Sequence, residues 1–139
     1  MSFTQTYTNS FKQQVLQGNQ DLVGDTLYIA LYTDLATLGA STTAYSTTNE
    51  VSGTGYTAGG KPLQNATIGF SGGTAYIDFS DVSWPGASFT ARGALIYNTS
   101  QSNTSVAVLD FGTNQTCNNQ NFTIRMPSNT ATTAIFRFN

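Results

Sequence analysis

Histidine is absent from this sequence of 139 residues, and cysteine occurs once. Without histidine the chain cannot use histidine general-base catalysis, a serine–histidine triad or a histidine-ligated metal. Cys117 alone can neither close an intrachain disulfide nor form a zinc cluster, and the carboxylates are not clustered as a calcium loop requires. We therefore expect no cofactor and no metal site.

Charge of either sign is also scarce, since charged residues make up 9% of the chain and five Lys and Arg stand against seven Asp and Glu. Five cations are too few for a basic patch, so we expect no nucleic-acid partner. No apolar run approaches the roughly 20 residues of a membrane span, so we expect no membrane partner. Residues 1–4 lack the features of a secretory signal, which favours synthesis in the cytoplasm.

Neutral polar side chains take the place of charge, with 23 Thr, 13 Ser, 12 Asn and 9 Gln. The length fits one domain, residues 1–139. Threonine favours strands, and short apolar segments alternate with turn signals at the spacing of a sandwich. The sequence therefore predicts a mainly β fold: an antiparallel β-sandwich of about seven strands with one short N-terminal α-helix.

The N-terminal segment, residues 1–20, contains the one credible helix. Apolar residues recur there at every fourth position, at Tyr7, Phe11 and Val15. This spacing predicts a helix over about residues 9–17. One of the polar residues 8–10 can serve as its N-cap, and Gly18 fits the position just after its C-terminus.

Two segments give the clearest strand signals. Residues 25–32 are apolar on both alternating faces, which predicts a strand buried on both sides. Around the Gly72-Gly73 pair, two alternating segments predict a hairpin with a two-residue turn. The register that this turn dictates pairs six apolar residues on one face: Phe70 with Ala75, Ile68 with Ile77, and Ala66 with Phe79.

The remaining strands are predicted over residues 88–98, 104–111, 121–126 and 130–138. Trp84-Pro85-Gly86 and residues 114–120 are interpreted as turns. Gly93 marks a bulge or a close approach of two backbones.

The Thr-, Ser- and Gly-rich loop over residues 33–63 exceeds the usual length of a connection, and such loops are usually functional or disordered. It contains Tyr45 and Tyr56, and Trp84 lies in a later turn. Exposed loop aromatics can anchor a partner, or they can fold back over the end of a sandwich. Both interpretations stay open, with the core favoured for Trp84. These three aromatics are the candidate partner contacts.

Carboxylates offer the one enzymatic route worth testing, because Asp78 and Asp81 are close in sequence. A glycosidase needs two carboxylates that face each other across a sugar. The simpler interpretation, which we favour, places Asp78 on the polar face of a strand and Asp81 in a turn. The sequence therefore predicts no enzyme, and a carboxylate hydrolase that acts on cell-wall sugars ranks last among the hypotheses.

Three stretches resemble a family of small virion-associated proteins of tailed bacteriophages. They are ATLGASTTAYSTTNEVSGTGYTAGGKPL (36–63), ARGALIYN (91–98) and AVLDFG (107–112). The likeness extends from the helix at Phe11 to the final strand, and it brings no catalytic residues with it.

The resemblance implies a structural role in the virion, after synthesis in the host cytoplasm. The first expectation is a capsid decoration, or cement, protein that binds the major capsid protein, assembled as a homo-oligomer and by preference a trimer. The N-terminal segment and residues 33–63 are the expected contact regions. The alternative is a tail, baseplate or fibre component that binds a host surface or a glycan.

Overall fold

The computed structural model describes residues 2–138 and is mainly β, with 49% of the chain in strands and 8% helical. Two antiparallel sheets enclose the main core, with strand orders β2-β9-β8-β3-β5 and β10-β7-β6, and β1 and β4 form a short parallel pair. This confirms the predicted sandwich-like fold. The elements are β1 (Ser2–Phe3), β2 (Thr6–Tyr7), α1 (Asn9–Leu16), β3 (Leu27–Tyr32), β4 (Thr37–Leu38), β5 (Lys61–Pro62), β6 (Thr67–Ser71), β7 (Thr74–Asp78), β8 (Val82–Asn98), a 3₁₀ turn (Thr99–Gln101), β9 (Thr104–Ile124) and β10 (Phe136–Phe138).

The helix α1 agrees with the prediction at both ends. Thr8 is the N-cap, and its Oγ1 accepts a hydrogen bond from the Phe11 amide at 3.3 Å. Gly18 follows the helix with a φ of +75°. Its amide donates to the Val15 carbonyl at 3.1 Å, a bond typical of glycine-terminated helices.

Strand β3 is buried on both faces, as predicted. Ile29 and Leu31 point into the main core between the sheets. Ala30 and Tyr32 point the other way and belong to a second, smaller cluster. The long loop contributes to both clusters. Ala36 and Tyr45 lie in or against the second cluster, whereas Val51 and Tyr56 lie in or against the main core.

The two longest strands correct the predicted turns. Trp84-Pro85-Gly86 lies inside β8, and residues 114–120 lie inside β9, so neither segment is a turn between strands. The register of the β8–β9 ladder shifts next to these segments. Gly86 and Gly112 adopt φ values of +58° and +83° there. Glycine can adopt this backbone without strain, so the strands bulge where the sequence suggested that they end.

Gly93 lies at a close approach of two backbones, as predicted. A Cβ at this residue would lie 2.6 Å from the Leu109 carbonyl oxygen and 2.6 Å from the Phe3 ring. The register of the β8–β9 ladder also shifts between Ala91 and Gly93.

The last predicted strand is shorter than expected, because β10 covers three residues of the predicted 130–138. Thr130 begins a turn instead: its carbonyl accepts the Ala134 amide at 3.0 Å. Its side-chain oxygen also accepts the Thr133 amide at 3.2 Å. Hydroxyl side chains that bond the local backbone in this way compete with strand formation.

The hairpin of β6 and β7 has the predicted register, with Phe70 opposite Ala75 and Ile68 opposite Ile77. Both turn glycines have positive φ, as a type I′ turn requires. The ladder ends at Thr67–Asp78 and so does not include the expected pair of Ala66 with Phe79. The predicted apolar face is only partly buried: Ile77 and Phe79 enter the core, whereas Ile68 and Phe70 are exposed.

Candidate functional site

The loop aromatics meet at one carboxylate. The Tyr45 hydroxyl donates to Glu50 Oε1 at 2.6 Å, and the Tyr56 hydroxyl donates to Glu50 Oε2 at 2.5 Å. The Gly59 amide donates to the same Oε2 at 2.8 Å. Three parts of the loop are therefore joined through Glu50, and we call this set of residues the Glu50 clamp.

Three contacts attach the Glu50 clamp to the sheet. The Tyr56 hydroxyl accepts the Leu31 amide of β3 at 2.9 Å. Tyr45 stacks on Tyr97 of β8 with ring centroids 4.6 Å apart. The Tyr97 hydroxyl in turn donates to the Gly59 carbonyl at 2.6 Å. The loop is thus held on the sheet by polar and aromatic contacts together.

Burial raises the pKa of each tyrosine hydroxyl in this region. The pKa of Tyr97 rises to about 12, mainly through burial and further through the nearby Glu50 charge. The pKa values of Tyr45 and Tyr56 rise further, because burial is reinforced by the hydrogen bond that each donates to Glu50. These hydroxyls therefore remain protonated donors throughout the neutral range.

The three candidate partner contacts thus lie where they stabilise the chain itself. Tyr45 and Tyr56 are half-buried and use their hydroxyls internally, and Trp84 is 1% exposed. The Trp84 ring packs edge-on against Phe122 at 6.1 Å. The ammonium of Lys61 lies 5.9 Å from the Trp84 ring. For Trp84, the structure therefore agrees with the interpretation that places it in the core.

The two candidate carboxylates have different surroundings. Asp78 is the last residue of β7, opposite Thr67, as the strand interpretation predicts, but it is only 3% exposed. Its Oδ1 accepts the Phe79 amide at 2.9 Å, and its buried Oδ2 has no hydrogen-bond partner. Burial raises the pKa of Asp78, and nearby amides of Phe79 and Ile135 partly offset that rise. Asp81 instead accepts the Met126 amide at 2.6 Å.

A groove of about 870 Å³ lies between β9 and the C-terminal segment. Its lining residues include the aromatic Phe111 and Phe122 and the cationic Arg125 and Arg137. Within residues 2–138, no carboxylate side chain lines it. The groove falls in the size range of ligand sites and has the charge to hold an anion, but it lacks an acid–base pair.

A second surface stands out because it is apolar and exposed. Ile68, Phe70 and Phe138 are 62%, 72% and 41% exposed. Phe70, Ala75 and Phe138 occupy one row across the three-stranded sheet, at the turn end of the hairpin. We call this row, with Ile68, the hairpin face. Leu22 lines a groove of about 290 Å³ beside it.

The exposure of the hairpin face was not predicted from the sequence. Alternation of apolar and polar residues shows which side chains share one face of a sheet. It does not show how far the opposing layer of the sandwich extends over that face. One signal was available: no charged residue occurs from residue 62 to residue 77. Charged side chains normally protect exposed strands, and this hairpin carries none between those two positions.

Comparison with known proteins assigns the chain to no family, since no family model, no curated protein and no solved structure matches it. Among residues 2–138, no helix has the length and apolar character needed to cross a membrane. The same residues contain no group of three or more His, Cys, Asp or Glu side chains that could hold a metal ion.

Proposed function

We propose that this chain is a non-enzymatic structural protein of a tailed-bacteriophage virion, and specifically a capsid decoration protein that binds the major capsid shell. The resemblance of residues 36–63, 91–98 and 107–112 to virion-associated proteins supports the proposal. The observation that carries it is the hairpin face, which offers Phe70 and Phe138 to a partner. Contiguous exposed apolar surface on a small domain is typical of a protein–protein interaction site.

The surroundings of the hairpin face favour a permanent contact. Residues 62–77 carry no charge, so a partner can cover them without desolvating an ion. The hairpin face therefore replaces the N-terminal segment and residues 33–63 as the proposed contact region. Residues 33–63 are already engaged by the Glu50 clamp.

The rigidity of the scaffold supports the same role. The Glu50 clamp fixes the long loop in the free protein, and Trp84 and the aromatic residues around it fix the end of the sandwich. A scaffold that is ordered before binding has fewer residues to immobilise when the hairpin face meets its partner. For a protein present in many copies on a shell, this lower entropy cost applies to every copy.

The experiment compares phage particles that lack this protein, before and after addition of purified chain, for survival of heat and osmotic shock. We expect addition of the wild type to restore resistance, and Phe138→Ser to restore it poorly. Leu16→Ser is the matched control, because Leu16 is an apolar residue on α1 that is 90% exposed. Equal robustness of particles with and without the protein would contradict the proposal.

The groove beside β9 favours one alternative, a tail, baseplate or fibre component that binds a host surface or a glycan. Arg125 and Arg137 would pair with acidic groups of such a ligand, and Phe111 and Phe122 would contact its apolar parts. A copy number of a few per particle, with the chain located at the tail tip, would favour this alternative over capsid decoration.

A further inference from the structure

Strand β6 is the outer strand of the three-stranded sheet. β7 pairs with one of its edges, and within residues 2–138 no strand pairs with the other. At the start of the strand, Asn129 Nδ2 donates to the Thr67 carbonyl at 3.3 Å. From Ile68 to Ser71 the outer edge is therefore open to another strand.

The register of the hairpin shows which backbone groups point outward. In a hairpin with a two-residue turn, the pair next to the turn is hydrogen-bonded, and hydrogen-bonded pairs then alternate with non-hydrogen-bonded ones. Ser71 with Thr74 and Gly69 with Tyr76 are accordingly bonded pairs. Ile68 and Phe70 belong to the other pairs, so their amides and carbonyls face away from β7.

Nothing in β6 discourages pairing with another strand. Exposed edges are normally protected by charged side chains, by proline or by bulges. β6 reads TIGFS, without charge or proline, and it pairs with β7 without a bulge. Its side chains Ile68 and Phe70 are among the most exposed large apolar residues of the described chain.

We propose that β6 pairs antiparallel with β6 of a second copy of this chain, about a twofold axis at Gly69. Ile68 of each copy then lies opposite Phe70 of the other, and each such pair exchanges two backbone hydrogen bonds. The two three-stranded sheets become one continuous sheet of six strands. The inference rests on the proposed function only in treating the hairpin face as an assembly surface.

The absence of charge favours a second copy of this chain as the strand that pairs with β6. At a twofold axis a charged residue approaches its own like charge, which disfavours self-pairing. The absence of charge from residue 62 to residue 77 removes this repulsion from a contact between two β6 strands.

The geometry at Gly69 also fits the axis. Directly opposed residues of a non-hydrogen-bonded pair bring their Cα atoms to about 4.5 Å, which two glycines allow without a side-chain clash. The Tyr76 ring already fills the side-chain position of Gly69, since a Cβ there would lie 2.3 Å from Tyr76 Cζ. A side chain at this point would displace the Tyr76 ring within one copy, and glycine is also compatible with the pairing of two.

The test measures the mass of the full chain in solution by sedimentation equilibrium, over a series of concentrations. We expect the wild type to reach twice the 14.8 kDa of one chain. Ile68→Thr and Ile68→Pro form a matched pair: both remove the large apolar side chain, and proline alone also removes the outward amide. Ile68→Pro should weaken dimerisation on the order of tenfold beyond Ile68→Thr, because two intermolecular hydrogen bonds are lost per dimer.

Circular dichroism and tryptophan fluorescence establish that both variants are folded. A wild type that remains monomeric at its highest soluble concentration would overturn the inference, as would a trimeric mass, which is the state expected from the resemblance. Equal dimerisation of the two Ile68 variants would also overturn it, since edge pairing depends on the amide. The proposed function can fail independently of the pairing. If the chain dimerises but gives phage particles no added resistance to heat or osmotic shock, the pairing of β6 stands and capsid decoration is contradicted.

Discussion

Tyr56 and Glu50 lie six positions apart, and the Tyr56 hydroxyl donates to Glu50 Oε2 at 2.5 Å. The same hydroxyl accepts the Leu31 amide at 2.9 Å, so one side chain joins the loop carboxylate to strand β3. Glu50 is itself in the strand-like bridge Tyr32–Glu50. Several polar contacts of the loop thus converge on the Glu50 carboxylate.

Glu50→Gln should lower the free energy of unfolding by about 1–3 kcal/mol, because the amide provides one acceptor oxygen where three donors now share two. Urea denaturation of the wild type and the variant measures the difference. Asp34→Asn is the control, since Asp34 is an exposed carboxylate near the start of the same loop that accepts Asn114 Nδ2 at 3.1 Å. It should change stability by less than about 0.5 kcal/mol. Similar losses in both variants would contradict the role of the clamp.

The clamp also predicts a loss of stability at high pH. The pKa of Tyr97 is raised from 10.0 to about 12, and the pKa values of Tyr45 and Tyr56 are raised as well. Above pH 10.0 these tyrosines lose their protons in the unfolded chain before they do so in the folded one. The unfolded state then binds fewer protons, so the free energy of unfolding falls as pH rises from 10.0 to about 12.

Denaturant titrations at a series of pH values in this range measure that fall, and ultraviolet absorbance follows ionisation of the tyrosines. Tyr56→Phe removes one of the raised groups and should make the fall shallower. A stability that stays level through this pH range in the wild type would show that the hydroxyls ionise equally in both states.

Periodicity and turn chemistry were enough to predict the local elements. Helix α1, the two-sided burial of β3 and the register at Gly72-Gly73 each depend on residues within a few positions of one another. The strands β8 and β9 were predicted too short, because glycines with positive φ can end a strand or bulge it, and only the facing strand decides which.

The candidate site could be predicted only in part, because its contacts also depend on residues that the local sequence pattern does not bring together. Tyr45 and Tyr56 were singled out as residues that either anchor a partner or fold back over the sandwich, but their hydrogen-bond partner Glu50 lies between them in a loop with no repeating pattern. The exposure of Phe70 depends on how far the opposite layer reaches, and alternation along β6 carries no such information.

Asp78 gives a pH effect at the acidic end. Burial raises its pKa above 3.8, so as pH rises the unfolded chain loses this proton first. The contribution of Asp78 to the free energy of unfolding is therefore complete below pH 3.8 and is lost as pH rises through the raised pKa of the folded state. Asp78→Asn, neutral at every pH, should remove this loss and flatten the profile of stability against pH.

Urea titrations from below pH 3.8 to neutrality compare the wild type with Asp78→Asn. Asp81→Asn is the second arm: the Asp81 charge contributes to raising the pKa of Asp78, so its removal should shift the loss to lower pH and leave it present. Unchanged profiles in both variants would contradict the assigned cause. The same two variants test the hydrolase hypothesis, because loss of a glycan-cleaving activity in both would revive it.

Trp84 provides the last prediction, since it is the one tryptophan of the chain and is 1% exposed. Its fluorescence should be blue-shifted and poorly quenched by iodide in the folded state, and both properties should be lost together on unfolding. Trp84→Ala should lower the free energy of unfolding by about 3–5 kcal/mol, because it leaves a cavity between Tyr56 and Phe122. Phe70→Ala removes an exposed aromatic ring and should change the stability of a single chain by less than about 1 kcal/mol, measured at a concentration where the chain is monomeric. Iodide quenching as efficient as that of free tryptophan would place Trp84 at the surface and restore it as a partner contact.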